Sequence, residues 1–268
     1  EFVESYPLAD MVLIVGGFPC KDTSFLKHGR RNLEGRQSSL FYHIPRIRRS
    51  AKRWAKCFVK FVVECTFMDA LPLRTVNQSL DCLPLLIDSE PVSAARRKRL
   101  YWVDTEFIPI AGEAAVPRED FIEVTLVPSP SRLKVLTPPR TFHPQFGGSL
   151  ECLTGFKYQS RPPHKPARIE RSSEEARARW RADQHATQVY QYEDINMIWE
   201  DNQPSLPSTV ELERIQGFPD HYTDPATIGT TSEGIKKLPK ALQKRSTVAL
   251  RRDALGNAIT VPVLVRIL

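Results

Sequence analysis

The chain has 268 residues, enough to bury a core as one large domain or two modest ones, and its 41% hydrophobic and 26% charged content excludes a disordered or fibrous protein. Its 38 lysines and arginines exceed the 31 acidic residues, and the formal charge of +7 favours a polyanionic partner, though solvated basic faces would give the same balance. Cys20, Cys57, Cys65, Cys82 and Cys152 show no paired spacing, and the six histidines form no HExxH-like cluster. A disulfide framework and a metal site are therefore not expected, and neither is a membrane span, because no apolar run is long enough.

The first segment, Glu1-Phe2-Val3-Glu4, has neither an initiator Met nor a signal-peptide pattern, so the chain reads as part of a longer one. Met11–Val15 is a short continuous apolar run ending in Gly16-Gly17, the pattern of a buried strand entering a tight loop. That loop presents Cys20 between Pro19 and the polar segment Lys21-Asp22-Thr23-Ser24. A loop cysteine at a strand end suits a nucleophile, although taken alone it reads first as a buried structural cysteine.

Ser38–Ala55 mixes apolar and basic residues at helical spacing, with Leu40, Phe41, Ile44, Ile47 and Trp54 on or near one face and Pro45 expected to kink or split it. Phe58–Val63 reads as a second strand ending at Glu64, and Asp69 as the cap of a helix running through Val76 and Leu80. Leu85–Ile87 and Leu100–Val103 are further short strands, so the first hundred residues alternate strand and helix signals, as in an α/β layer fold.

After about residue 106 prolines recur at 109, 117, 128, 130, 138, 139, 144, 162, 163 and 166, and the stretch reads as loop-rich. Within it Ser172 is expected to cap a helix with Glu175 reaching back, and Arg177, Arg179 and Arg181 of that helix either face solvent or contact DNA. Ser208–Phe218 reads as an amphipathic helix closed by Gly217 and Pro219, followed by the basic segment Lys236–Arg252.

Several motifs stand in one order. Asp10 to Cys20 (Asp-Met-Val-Leu-Ile-Val-Gly-Gly-Phe-Pro-Cys) resembles the nucleophile motif of the cytosine-5 DNA methyltransferases, and Gly35-Arg36-Gln37-Ser38-Ser39-Leu40-Phe41 the segment after it. Val63-Glu64-Cys65 sits where that family has Glu-Asn-Val, and Ser93 to Trp102 resembles its Arg-x-Arg motif, in surroundings nearest the eukaryotic de novo branch. Glu211 to Pro219 with His221-Tyr222-Thr223-Asp224 resembles the ninth motif, and Gly256-Asn257-Ala258 the last.

The resemblance implies a Rossmann-like, S-adenosylmethionine-dependent α/β fold, incomplete at its N-terminus, with an inserted target-recognition region. Residues 1–106 would be catalytic core, 107–205 target recognition and 206–268 the return to the core. It implies that the Cys20 loop leads into a helical turn and that its thiolate adds to C6 of a flipped cytosine, making C5 nucleophilic. Glu64 would hold N3. Arg97 and Arg99, alternate on an extended segment, would both face the base, one orienting Glu64 or binding O2 and the other supporting the loop or a phosphate. Arg96 and Lys98 would be solvated or phosphate-facing. Leu40, Asn257, Ala258 and Ile259 would be what remains of the S-adenosylmethionine site. The implied partners are double-stranded DNA and a further subunit or upstream segment, with no metal and no membrane, and the implied location is the nucleus.

Four departures accompany the match. Only nine residues precede Asp10, with no Phe-x-Gly-x-Gly strand–turn, so weak or absent S-adenosylmethionine binding is expected. Lys21 follows the cysteine where Asn or Gln is usual. Cys65-Thr66 replace Asn-Val, and Ser205 stands near the ninth motif's missing leading arginine. Two other readings are a catalytically degenerate module that binds DNA or a partner enzyme, and a transfer-RNA cytosine-5 methyltransferase, whose Cys-Phe-Thr signature is not evident.

Overall fold

The computed structural model describes residues 9–23, 31–143, 150–151, 169–224 and 247–268. Glu1 to Glu4, Ser24, Cys152, the prolines at 144, 162, 163 and 166, and residues 236–246 of the basic segment lie outside the described residues. The chain divides into two compact units, Glu1–Asp88 with Lys98–Val127, and Ser89–Arg97 with Pro128–Leu268.

The first unit is mixed α/β, compatible with a Rossmann-like fold. In chain order it holds β1 (Met11–Gly17), α1 (His43–Trp54), β2 (Phe58–Thr66), α2 (Ala70–Leu80) and β3 (Leu85–Asp88). The short β4 (Ala95–Arg96) belongs to the second unit, and the first resumes with β5 (Lys98–Val103), β6 (Ala114–Pro117) and β7 (Ile122–Thr125). Its six strands lie in the order β1-β2-β5-β3-β7-β6. β1 runs parallel to β2, and β5 runs antiparallel to both of its neighbours, β2 and β3. β7 is parallel to β3, so the boundary expected at 106 falls inside this unit: the hairpin of β6 and β7 extends its sheet.

The buried faces of β2 and β5 and one face of α2 build the core, with Phe61, Val63, Leu73, Val76, Leu80, Leu100 and Trp102 all nearly inaccessible. Trp102 closes its one polar requirement by donating Nε1–H to Asn77 Oδ1 at 2.8 Å. The helix expected over 38–55 is instead a 3₁₀ turn, Ser38–Tyr42, running into α1. Pro45 falls in the first turn of α1, where its missing N–H has no intrahelical partner to lose, and the helix runs through it without being split. Leu40, Ile47 and Trp54 are exposed rather than on the buried face, which Phe41 and Ile44 supply. Asp69 is the N-cap of α2 by position, but its side chain makes no capping bond.

The second unit packs two small sheets against helices. β8 (Thr141–Phe142), β10 (Ile198–Glu200) and β11 (Gln203–Ser205) form one sheet, and β4 pairs with β9 (Leu150–Glu151). Its helices are α3 (Glu174–Ala182), α4 (Thr209–Ile215), α5 (Thr247–Asn257) and α6 (Val261–Ile267). The α3 cap is Ser173 rather than Ser172: Ser173 Oγ accepts from Ala176 N at 3.1 Å, and Glu193, not Glu175, receives the Ser173 N–H at 2.9 Å. Ser208 and Glu211 form a full capping box at the start of α4.

Candidate active site

β1 delivers Pro19 and Cys20 to the end of the sheet, and Cys20 opens a single 3₁₀ turn, Cys20–Asp22. The turn is closed by Thr23, whose N–H and hydroxyl donate to the Cys20 carbonyl at 3.1 and 3.2 Å. A second segment clamps it from outside. Asp22 Oδ2 accepts the backbone N–H groups of Gln37 and Ser38 at 3.1 and 3.3 Å. Ser38 Oγ accepts from Asp22 N at 3.3 Å and donates to the Pro19 carbonyl at 2.7 Å. Asp22, Thr23 and Ser38 are all buried, so these bonds form away from water. A Cβ on Gly35 would stand 2.2 to 2.3 Å from Asp22 side-chain atoms, which explains the glycine that opens the Gly35–Phe41 motif.

Glu64 lies on β2 directly beside Gly17 of β1. A side chain at Gly17 would meet the Glu64 carbonyl oxygen at 2.9 Å and its Oε2 at 3.2 Å, so the glycine keeps this approach open. Arg99, at the start of β5, places Nε 3.0 Å from Glu64 Oε1, and both side chains are more than nine-tenths buried. The antiparallel pairing of β5 with β2, with Arg99 opposite Thr66 and Tyr101 opposite Glu64, creates this meeting. Arg99 Nη1 also donates to the Lys98 carbonyl at 2.7 Å, which fixes the guanidinium beside the carboxylate.

Cys65 is fully buried behind this pair, with Sγ 3.9 Å from the Phe18 carbonyl. Burial pushes its thiol well above the usual range, and the charges of Glu64 and Cys20 push it further. It therefore stays protonated and can donate only a weak bond to the loop that an asparagine amide would hold more firmly.

The two arginines expected to act together have different partners. Arg97 precedes β5 and belongs to the second unit, where Nη2 donates to the carbonyls of Gly256 and Ala258 at 3.2 and 2.7 Å. Arg96 pairs with Glu90 at 2.9 Å, while Lys98 is exposed. Gln216 supports the same chain end, donating Nε2–H to the Leu255 carbonyl at 3.0 Å and accepting from Val261 N at 3.0 Å. Gly217 follows with φ +83°, and a Cβ there would meet Pro262 Cδ at 2.6 Å.

Cys20, Glu64, Arg99 and Leu40 thus lie in the first unit, and Arg97, Asn257, Ala258 and Ile259 in the second. Leu40 and Asn257 are exposed, and the Ala258 carbonyl is already engaged by Arg97.

Sequence reasoning passed over three groups. Ser38 lay inside the Gly35–Phe41 motif and Asp22 in the polar segment after Cys20, and the small polar side chains flanking Cys20 were the available signal. Glu213 of α4 lay inside the ninth-motif segment without being singled out: it is completely buried and accepts from His221 N at 2.8 Å, Thr223 N at 2.7 Å and Arg251 Nη2 at 2.9 Å. Among the described residues no helix is long and apolar enough to cross a membrane, and no group of three His, Cys, Asp or Glu could hold a metal ion. No family model matches the chain.

Proposed function

We propose that this chain is the cytosine-directed part of a DNA (cytosine-5) methyltransferase. The observation that carries the reading is the Glu64–Arg99 pair, 3.0 Å apart and buried, beside the glycine that leads into the clamped Cys20 loop. In this reading the Cys20 thiolate forms a bond to C6 of an extruded cytosine. The C5–C6 π pair shifts into a C4–C5 double bond and the C4–N3 π pair moves onto N3, which takes the proton of the Glu64 carboxyl in its protonated form. Arg99 is a positioning residue that holds Glu64 in place. C5 then has enamine character and can attack a methyl electrophile. Enzymes of this class take that methyl from S-adenosylmethionine, and the proposed role of these side chains ends at the activated ring.

The test is covalent trapping on a duplex containing 5-fluorocytosine, with S-adenosylmethionine and the whole protein. A denaturation-resistant adduct that disappears in Cys20→Ser is expected. Tight duplex binding without adduct would instead establish a second reading, a degenerate DNA-binding module, which the weak Cys65–Phe18 contact favours.

A further inference from the structure

We propose that the outward face of α1 binds the phosphate backbone of duplex DNA. α1 carries Arg46, Arg48, Arg49, Lys52 and Arg53 in the sequence His-Ile-Pro-Arg-Ile-Arg-Arg-Ser-Ala-Lys-Arg-Trp and no acidic residue. One of these cations is structural. Arg48 turns inward, its guanidinium 4.3 Å from the centre of the Phe61 ring and its Nη1 donating to the Leu80 carbonyl at 2.8 Å. The other four are exposed. At about 100° per residue, Arg46, Arg49, Lys52 and Arg53 fall within roughly a third of the helix circumference. Exposed Lys56 follows just beyond the helix end.

Elsewhere among the described residues exposed Arg31, Arg36 and Arg171 stand singly without an ion pair, and other surface arginines are neutralised. Arg74 pairs with Glu119 and Asp120, Arg118 with Glu123, Arg177 and Arg181 with Glu174, Arg179 with Asp194, and Arg214 with Asp220. Arg46, Arg49, Lys52 and Arg53 have no carboxylate within 4.0 Å among the described residues. Like charges three and four positions apart weaken a helix. The helix dipole explains cations in the last turn, where Lys52 and Arg53 sit, but opposes Arg46 and Arg49 nearer the start. A complementary polyanion relieves both costs. Arg53 also lies 5.3 Å from the centre of the exposed Trp54 ring, which holds its guanidinium at the surface. An anionic membrane fits less well, because a helix lying in a bilayer surface inserts a broad apolar face, and here Ile44 and Arg48 are turned toward the core of their own unit.

The arginines of α3, read from sequence as either solvated or in contact with DNA, are thus internally paired, and α1 carries four uncompensated cations on one helix face. This inference does not depend on the methyltransferase reading. Its test uses the whole chain and a labelled duplex of A·T pairs only, which offers no cytosine. Anisotropy should detect binding whose log K falls linearly with log salt. Arg46→Gln/Arg49→Gln/Lys52→Gln/Arg53→Gln should weaken it at least about tenfold near 0.1 M salt and lower the slope by about 2 to 4, since each phosphate contact contributes about 0.9. The two half-variants, Arg46→Gln/Arg49→Gln and Lys52→Gln/Arg53→Gln, should each give part of that loss with the parent's circular dichroism, and Arg177→Gln/Arg181→Gln should leave the slope unchanged.

An unchanged slope and affinity in the quadruple variant would overturn the proposal. So would failure of the parent to bind the A·T duplex, or loss of binding to phosphatidylserine vesicles with duplex binding intact. Absence of a 5-fluorocytosine adduct in the parent would count against the methyltransferase reading alone.

Discussion

Asp22 and Ser38 bond to each other in both directions: the Asp22 N–H donates to Ser38 Oγ, and the Ser38 N–H donates to Asp22 Oδ2, each at 3.3 Å. Because Ser38 Oγ also holds the Pro19 carbonyl, one hydroxyl fixes the chain on both sides of Cys20. Ser38→Ala leaves the Asp22 N–H and the Pro19 carbonyl without that partner in a buried site. We expect a loss of about 1 to 3 kcal/mol in chemical denaturation. We also expect slower formation of the 5-fluorocytosine adduct at saturating duplex, because the loop samples more conformations. A variant with the parent's stability and rate would show that the clamp is idle. Gly35→Ala should act in the same direction, through displacement of Asp22.

The Glu64–Arg99 pair predicts an asymmetry between its partners. Arg99→Leu leaves a buried carboxylate uncompensated and should destabilise by about 3 to 5 kcal/mol. Glu64→Gln keeps an acceptor for Arg99 and should cost less stability, yet it should lower the adduct rate by about 10²- to 10⁴-fold if Glu64 serves N3. Paired unfolding and trapping measurements separate the two effects. Equal losses of stability with no change in trapping would make the pair purely structural.

Much of the framework was legible because its signals are local. The continuous apolar runs of β1, β2 and the C-terminal part of β5 mark strands by composition alone, and Ser208 with Glu211 marks a helix start within four residues. What was hidden depends on partners distant in sequence. Ser173 rather than Ser172 caps α3 because Glu193 takes its N–H and hydroxyl. Arg99 finds Glu64 only once β5 pairs antiparallel with β2, and Arg97 reaches Gly256 and Ala258 from the other end of the chain. β6 is exposed along its whole length and so carries no alternating pattern, yet backbone pairing with β7 adds it to the sheet. The position of Cys20 was readable from the motif around it. The bonds that hold it were not.

Glu213 gives a pH prediction. Burial raises its pKa, but the hydrogen bonds from Thr223 and Arg251 outweigh burial, and the carboxyl is held below the usual carboxylate range. The unfolded chain then takes up this proton at higher pH than the folded chain does. The stability contributed by Glu213 is therefore fully present above about pH 4.5 and is lost as pH falls through the lower folded value. Glu213→Gln should flatten the acid limb of a stability–pH curve while lowering its plateau, because Arg251 loses its buried carboxylate. An acid limb as steep as the parent's would assign the acid sensitivity to other carboxyls, Glu211 first, since its pKa is also lowered against burial by Arg140 and Ser208.

Cys82 tests the same linkage with the opposite sign. Burial raises its thiol to about 11, Arg48 opposes the rise, and Asp104 and Asp81 add to it. A folded-state value above the ordinary thiol value of 9.0 means stability that is complete below about pH 9 and lost as pH climbs through about 11. It also means little thiolate near neutrality: two pH units correspond to about a hundredfold less of the reactive form. Iodoacetamide at about pH 8 should therefore label Cys82 about 100-fold more slowly than a free cysteine, read peptide by peptide by mass spectrometry. Labelling at the free-cysteine rate would mean that the packing around Cys82 opens faster than the thiol ionises within it, and it would withdraw the alkaline loss of stability along with the protection.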